Sequence, residues 1–235
     1  MQTMRESMSN GTSQVRSGEF FKKLSPSALR DLESMEFPTS YTPGMLLFSE
    51  KAKPQGIFIL LSGEVKLSIN SSDGKRLILS IAKAGEVLGL SSALSGLPSE
   101  MTAEVLYPSK IAVIERTQFL SFMSRHPEAY QTVTEELSLQ YKTACEQLRT
   151  VGLSASAPEK LARLLLEWSD NGQKTESGSR CRFSLTHEEI GEFIGASRET
   201  VTRTLSIFKN RHLVAQHGCT ITIPSRNALE NYARR

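Results

Sequence analysis

The sequence predicts a mixed α+β chain in three parts: an N-terminal double-stranded β-helix, or jelly roll, one long helix, and a C-terminal winged helix-turn-helix. Three observations carry that reading. Residues 37–115 break into brief β-favouring runs punctuated by Gly and Pro. Residues 127–153 switch to a helical period with a narrow repeating seam. Residues 184–223 hold two short helix patterns across a tight turn, followed by a hairpin. At 235 residues the chain is long for one domain and ample for two. The expected divisions are a flexible tail over 1–18, a roll with leading helices over 19–126, the long helix over 127–153 and the C-terminal domain over 154–235.

With 39% of residues apolar and 23% charged, the chain can bury cores and stay soluble. No run approaches the ~18 apolar residues that a bilayer span needs, so no membrane partner is expected. The first residues, MQTMRESMSNGTSQVRSG, lack the apolar block of a secretory signal, which implies a cytoplasmic location. Cys145, Cys181 and Cys219 lie 36 and 38 residues apart. That spacing suits neither a disulfide scaffold nor the close pairs of a zinc site or a cysteine-ligated iron-sulfur cluster. His126, His187, His212 and His217 form no close pair either, so no metal site is expected. Net charge is +3, and all of the excess lies late: residues 1–153 hold 16 basic against 16 acidic groups, and residues 154–235 hold 12 against 9. A C-terminal excess suits a polyanion, but needs a motif to support it.

Taken in order, Phe21, Leu24, Leu29, Leu32 and Met35 mark short leading helices, with Ser25-Pro26 as a helix start. Strands are expected at Met45–Ser49, Ile57–Ser62, Val65–Asn70, Leu77–Ala82, Met101–Val105 and Ile111–Glu115, with Asp73-Gly74 as the strongest hairpin signal. Val65, Leu67 and Ile69 alternate with Lys66, Ser68 and Asn70, which predicts one buried and one wet face. Along the long helix, Thr134, Tyr141 and Leu148 repeat at one heptad position and Tyr130, Leu137, Ala144 and Val151 at its partner. So narrow a seam fits a contact between two copies, and packing on the chain's own roll is the alternative. Gly152 and the Ser154–Pro158 run break the pattern, placing a hinge at 152–158. Leu161, Leu164, Leu165 and Trp168 give the next helix an apolar face, and the polar run Asp170–Arg182 reads as a loop.

The motif SLTHEEIGEFIGASRETVTRTLSIFKN follows from Ser184. Thr186 and Glu189 form a capping box, and Ile190, Phe193 and Ile194 point inward. Gly195 allows a sharp exit, and Ser197 caps a second helix whose Val201, Leu205 and Phe208 point inward. Arg198, Glu199, Thr202 and Arg203 remain on the outer face near its start, where a recognition helix meets base edges. Arg can bond guanine O6 and N7 together, and Glu can accept from cytosine N4. The hydroxyls of Thr186, Ser197 and Thr200 at helix starts suit phosphate oxygens. A solvated face with an Arg/Glu salt bridge is the bland alternative, but capping, turn and spacing together favour double-stranded DNA as partner. Leu213–Ala215 and Cys219–Ile223 flank Gln216-His217-Gly218 as a wing.

The run IGEFIGASRETVTR, preceded by a Gly-punctuated roll and a long helix, resembles the Crp/Fnr superfamily of bacterial transcription regulators. The likeness covers about residues 19–225, is most specific over 184–223, and rests in the roll on Gly44, Gly63, Gly85 and Gly89. It implies a homodimer, with RNA polymerase as a further partner and an effector in the roll. It puts base contacts on Arg198, Glu199 and Arg203, and phosphate contacts on Ser197, Thr200 and the wing residue His217. That trio implies a TGTGA-type half-site, repeated as a palindrome read in successive major grooves about 34 Å apart.

For the effector, the resemblance points to Gly89, Leu90, Met101 and Thr102 in the roll, with Cys145 and a buried Glu146 on the helix. Cyclic AMP is disfavoured: its pattern has Glu after the glycine and a later Arg-Ser pair, and here Leu90 and Met101-Thr102 stand there, leaving Arg76 or Lys83 as substitute cations. The oxygen-sensing branch needs cysteines near the N-terminus, and the first here is Cys145. Haem has only His126 or Met101 as candidate ligands. The expected ligand is an unidentified small apolar or weakly polar molecule, or none in a constitutive binder. Two rival functions are weaker. A cyclic-nucleotide-binding-like module acting on a protein partner leaves the Arg198/Glu199/Arg203 face without a purpose. A cupin-type enzyme needs His ligands inside the roll, and residues 37–115 contain no His. No enzymatic activity is expected.

Overall fold

The computed structural model describes residues 18–153, 156–170, 172–175, 178–182 and 185–233. The expected tail up to residue 17, and Ser154 and Ala155 of the expected hinge, lie outside the described residues. The chain divides into two compact units, the first running up to Gly74 and over Ile78–Thr143, the second comprising Lys75–Leu77 and the chain from Ala144 onward. Among the described residues no helix is long and apolar enough to cross a membrane.

The first unit opens with α1 (Glu19–Lys22) and α2 (Pro26–Met35). Ser25 caps α2, its hydroxyl accepting the Ala28 amide at 3.2 Å, and Pro26 takes the first-turn position, where its missing N–H costs nothing. Eight strands follow: β1 (Phe37–Tyr41), β2 (Leu46–Phe48), β3 (Gly56–Ser62), β4 (Glu64–Asn70), β5 (Arg76–Lys83), β6 (Val87–Leu88), β7 (Thr102–Val105) and β8 (Ser109–Glu115). They make two four-stranded sheets, ordered β1-β8-β3-β6 and β2-β7-β4-β5, which is the expected roll. The six predicted strands are present, shifted by a residue or two. The sequence pattern missed β1, an edge strand whose Pro38 obscures it, and β6, which has only two residues.

Burial explains the composition of β3. Ile57 and Ile59 join an outer cluster with Leu32, Ala112, Ile114, Phe119 and Phe122, while Phe58 and Leu60 join an inner one with Leu47, Val65, Leu88, Val105 and Ile111. Both faces are covered, so the strand reads apolar throughout. In β4 the expectation of a wet face needs correction. Val65 is fully buried, but Lys66 and Ser68 are only 3% and 1% exposed. Lys66 is paired in register with Glu104 on β7, its Nζ 3.3 Å from the carboxylate, and that partner makes the buried cation tolerable.

Helices α3 (Leu90–Ser95), α4 (Arg116–Arg125) and α5 (Glu128–Leu153) complete the unit and lead out of it. Early in α5, Ala129 and Val133 are buried in the outer cluster, and Gln140 donates to the Val87 carbonyl at 3.1 Å. Of the seam residues, Tyr130, Thr134, Tyr141 and Leu148 are exposed, whereas Leu137 leans on the outer cluster of its own roll. The helix continues through Gly152 to Leu153.

The second unit contains the end of α5, α6 (Ala157–Asp170), β9 (Gln173–Thr175), β10 (Gly178–Arg182), α7 (His187–Ile194), α8 (Arg198–Asn210), β11 (Ala215–His217), β12 (Thr220–Ile223) and α9 (Arg226–Ala233). Gln147, buried on α5, donates to the Phe193 carbonyl at 2.6 Å. Trp168 meets Phe193 edge-on with ring centres 6.2 Å apart, and Phe208 meets Tyr232 at 5.1 Å. The predicted Asp170–Arg182 loop is instead largely a hairpin. Strands β9 and β10 extend the wing into a sheet ordered β11-β12-β10-β9. Their polarity hid them, because only Cys181 on these strands is buried.

Candidate nucleic-acid interface

The helix-turn-helix is built by local chemistry at each end of its helices. At the start of α7 the Thr186 hydroxyl accepts the Glu189 amide at 3.2 Å, and the Glu189 carboxylate accepts the Thr186 amide at 2.9 Å. This is the predicted capping box, satisfying two amides that the helix leaves open. Gly195 ends α7 at φ +65°, a left-handed conformation that suits glycine. Ser197 caps α8 by accepting the Thr200 amide at 3.2 Å. Ile190, Ile194, Val201, Leu205 and Phe208 are buried to within 1% of complete, which fixes the rotation of both helices.

One residue of this architecture escaped the sequence reading. A Cβ on Gly191 would lie 2.4 Å from the Ala196 carbonyl oxygen, so the turn closes onto a helix position that admits no side chain. The Ala196 amide donates to the Gly191 carbonyl at 2.9 Å, holding the turn there. A glycine four residues ahead of the turn glycine was the available signal.

With the inner face fixed, Arg198, Glu199, Thr202 and Arg203 are all exposed on the opposite side of α8. Among the described residues neither guanidinium closes a salt bridge. The Glu199 carboxyl is held below its ordinary value, first by its own backbone amide in the first helical turn and then by Ser197. It is therefore an anion at neutral pH, able only to accept. Thr186 and Ser197 are exposed at the two helix starts, with Thr200 partly covered beside Ser197. In the wing, His217 is the last residue of β11, exposed and opposite Thr220, while the turn itself is Gly218-Cys219, two residues later than the pattern suggested.

The residues expected around an effector are placed less simply. Gly89 caps α3 in a left-handed conformation, and Leu90 is fully buried in the outer cluster, against helices instead of the roll interior. Thr102 accepts the Glu50 amide at 3.0 Å, and Met101 beside it is partly covered. On α5, Cys145 is partly buried, but Glu146 is exposed, correcting its expected burial. His126, a candidate haem ligand, sits 2.8 Å from Asp31 with its ring against Phe122, so its ring already bridges α4 and α2.

Comparison with known proteins agrees with this geometry. Residues 38–126 match the cyclic nucleotide-binding domain family, and residues 159–232 match the Crp-like helix-turn-helix domain family. The CRP-like cAMP-activated global transcriptional regulator of Mycobacterium tuberculosis (strain ATCC 25618 / H37Rv) is 26% identical over 215 residues, covering 91% of this chain and 96% of that protein. The transcriptional activatory protein AadR of Rhodopseudomonas palustris is 25% identical, covering 82% and 79%. Among solved structures, FixK2 from Bradyrhizobium japonicum shares the fold with a TM-score of 0.74 at 21% identity, covering 84% of this chain and 96% of that one. With both domain families in order on one polypeptide and relatives spanning nearly its full length, the chain belongs to the Crp/Fnr superfamily of DNA-binding transcription regulators.

Proposed function

We propose that this protein acts in the cytoplasm as a homodimer that reads a TGTGA-like palindrome and answers to an effector held in its roll. The observation that carries this is the exposed strip of Arg198, Glu199 and Arg203 at the start of α8, fixed by a capped and closely packed helix pair. These three side chains meet base edges, while Thr186, Ser197, Thr200 and the wing residue His217 meet phosphates. Two copies join along Tyr130, Thr134, Leu137, Tyr141, Ala144, Leu148 and Val151, for which the exposed Tyr141 and Leu148 give the best support. RNA polymerase is the further partner that a transcription regulator of this kind engages.

Residues 19–126 form the effector module, 127–153 the dimer helix and 154–235 the DNA-binding domain. The effector meets Gly89, Met101 and Thr102 in the roll, and is a small apolar or weakly polar molecule. The apolar inner cluster around Phe58, Leu60 and Ile111 supports that class. The relative from Mycobacterium tuberculosis is named as cAMP-activated. Leu90 and the Met101-Thr102 pair, in place of charged phosphate partners, argue against the same ligand here. Effector binding shifts an equilibrium between two orientations of the DNA-binding domains, and it does so only through unequal affinity for the two.

Selection of bound sequences from a random duplex pool by the purified full chain tests the proposal. Enrichment of an inverted repeat with two TGTGA-like halves is expected. No enrichment over input would overturn sequence-specific reading, and a single unrepeated half-site would overturn the dimer.

A further inference from the structure

Resting on the DNA-binding reading above, we propose that His187 is a positioning residue of the interface and that its ring takes up a proton when α8 docks on DNA. His187 is the first residue of α7, and its Nδ1 reaches across to α8, 2.8 Å from the Thr202 hydroxyl oxygen. Thr202 in turn donates to the Arg198 carbonyl at 2.9 Å. A hydroxyl has one hydrogen to give. Both bonds are therefore satisfied together only when Nδ1 carries a hydrogen and donates. The neutral ring is thus held as the Nδ1–H tautomer, and Nε2 keeps the lone pair that accepts a further proton. By the same bond, the ring pins Thr202 on the exposed face it shares with Arg198 and Arg203.

The charges around the ring give this contact a direction. Burial, then Lys209, then Arg198 hold His187 below its ordinary value of 6.5. Both cations come from α8. On its own helix the ring has Glu188 and Glu189 as neighbours in the first turn, and Glu189 is committed to the Thr186 cap. No charge from α6, which also packs on α7, is among those that shift the ring. In the free protein at neutral pH the ring is neutral. Backbone phosphates brought up to this face of α8 offset Arg198 and Lys209, the two cations that oppose protonation, so the complex binds a proton more readily than the free protein does. Affinity accordingly rises as pH falls through the value for the complex, and levels off below the value for the free protein, which lies under 6.5. One ring per half-site limits the effect to about tenfold per pH unit per half-site.

Fluorescence anisotropy titrations of the full chain against two labelled duplexes, one with a TGTGA inverted repeat and one scrambled, test this at constant ionic strength between about pH 5.5 and 8.5. The slope of log affinity on pH is expected to be shallower in His187→Gln than in the native chain by up to one proton per half-site. Gln keeps an N–H for Thr202 but cannot titrate, and His217, the other ring at the interface, is common to both proteins. Identical slopes overturn the proposal and leave DNA binding standing, whereas no binding to either duplex at any pH overturns both. Nitrogen chemical shifts of the His187 ring supply a second measurement. The Nδ1–H form is expected in the native chain and the commoner Nε2–H form in Thr202→Val; the same tautomer in both would refute the positioning role.

Discussion

Replacing Gly191 by alanine is expected to destabilise the second unit, although removing a glycine from a helix ordinarily stabilises it by about 1 kcal/mol. Opposing that gain, the new Cβ would sit 2.4 Å from the Ala196 carbonyl oxygen, well inside contact distance. That carbonyl cannot simply retreat, because the same residue's amide is bonded to Gly191 at 2.9 Å. Overpacking costs about 1–3 kcal/mol and one strained backbone hydrogen bond about 1 kcal/mol more. The net loss is then about 1–3 kcal/mol, with each kcal/mol lowering the melting midpoint of a domain this size by roughly 4–8 °C. Gly152 provides the control: it too is helical, but a Cβ there meets nothing within 4 Å, so Gly152→Ala is expected to be neutral or stabilising by up to about 1 kcal/mol. Trp168 is the only tryptophan and packs against Phe193, so its fluorescence reports unfolding of the second unit. A Gly191→Ala protein as stable as the native chain would refute the reasoning, as would equal losses at the two glycines.

Other expected outcomes concern the interface, the dimer and pH. Arg203→Ala should weaken binding to a TGTGA-type palindrome by about 1–3 kcal/mol and relax the preference at one guanine; gel shifts over single-base variants that keep the native preference would refute the base contact. His217→Ala should instead weaken all sequences alike and reduce the slope of log affinity on log salt by about one. Leu148→Glu should give a monomer in light scattering with the unfolding of the first unit unchanged, while Leu137→Glu should also destabilise that unit, because Leu137 leans on its core. Burial raises the Glu136 carboxyl and a hydrogen bond from Gln140 offsets this only in part. The stability this group contributes is therefore full below the unfolded value and is lost as pH rises through the folded one. Glu136→Gln should accordingly raise the melting midpoint of the first unit at pH 7 and not near pH 4.

The reading head was legible because its information is local. Thr186 and Glu189, Gly195 and Ser197 each fix one helix end through contacts within a few residues, so spacing alone reveals them. The roll was legible as a class and less so in detail. Its hidden strands are β6, which has only two residues, and β1, whose partner β8 lies far along the chain. The wet face assigned to Lys66 failed for the same reason, since the Glu104 opposite it is 38 positions away and no period announces it. Leu90 illustrates the limit for the effector site. A family position transfers a residue number, but whether the side chain faces the roll interior or the helices depends on packing that only the fold supplies.

The four-stranded sheet behind the wing bears on how tightly a duplex could be held. Because β12 is bonded to β10 as well as to β11, the ribbon that presents His217 is one margin of a stiff slab and not a loose finger. A finger must surrender its backbone freedom on contact, at about 1–2 kcal/mol for each residue fixed. Here that surrender is largely made during folding, so the phosphate contact proposed for His217 would keep more of its energy to lengthen residence on DNA.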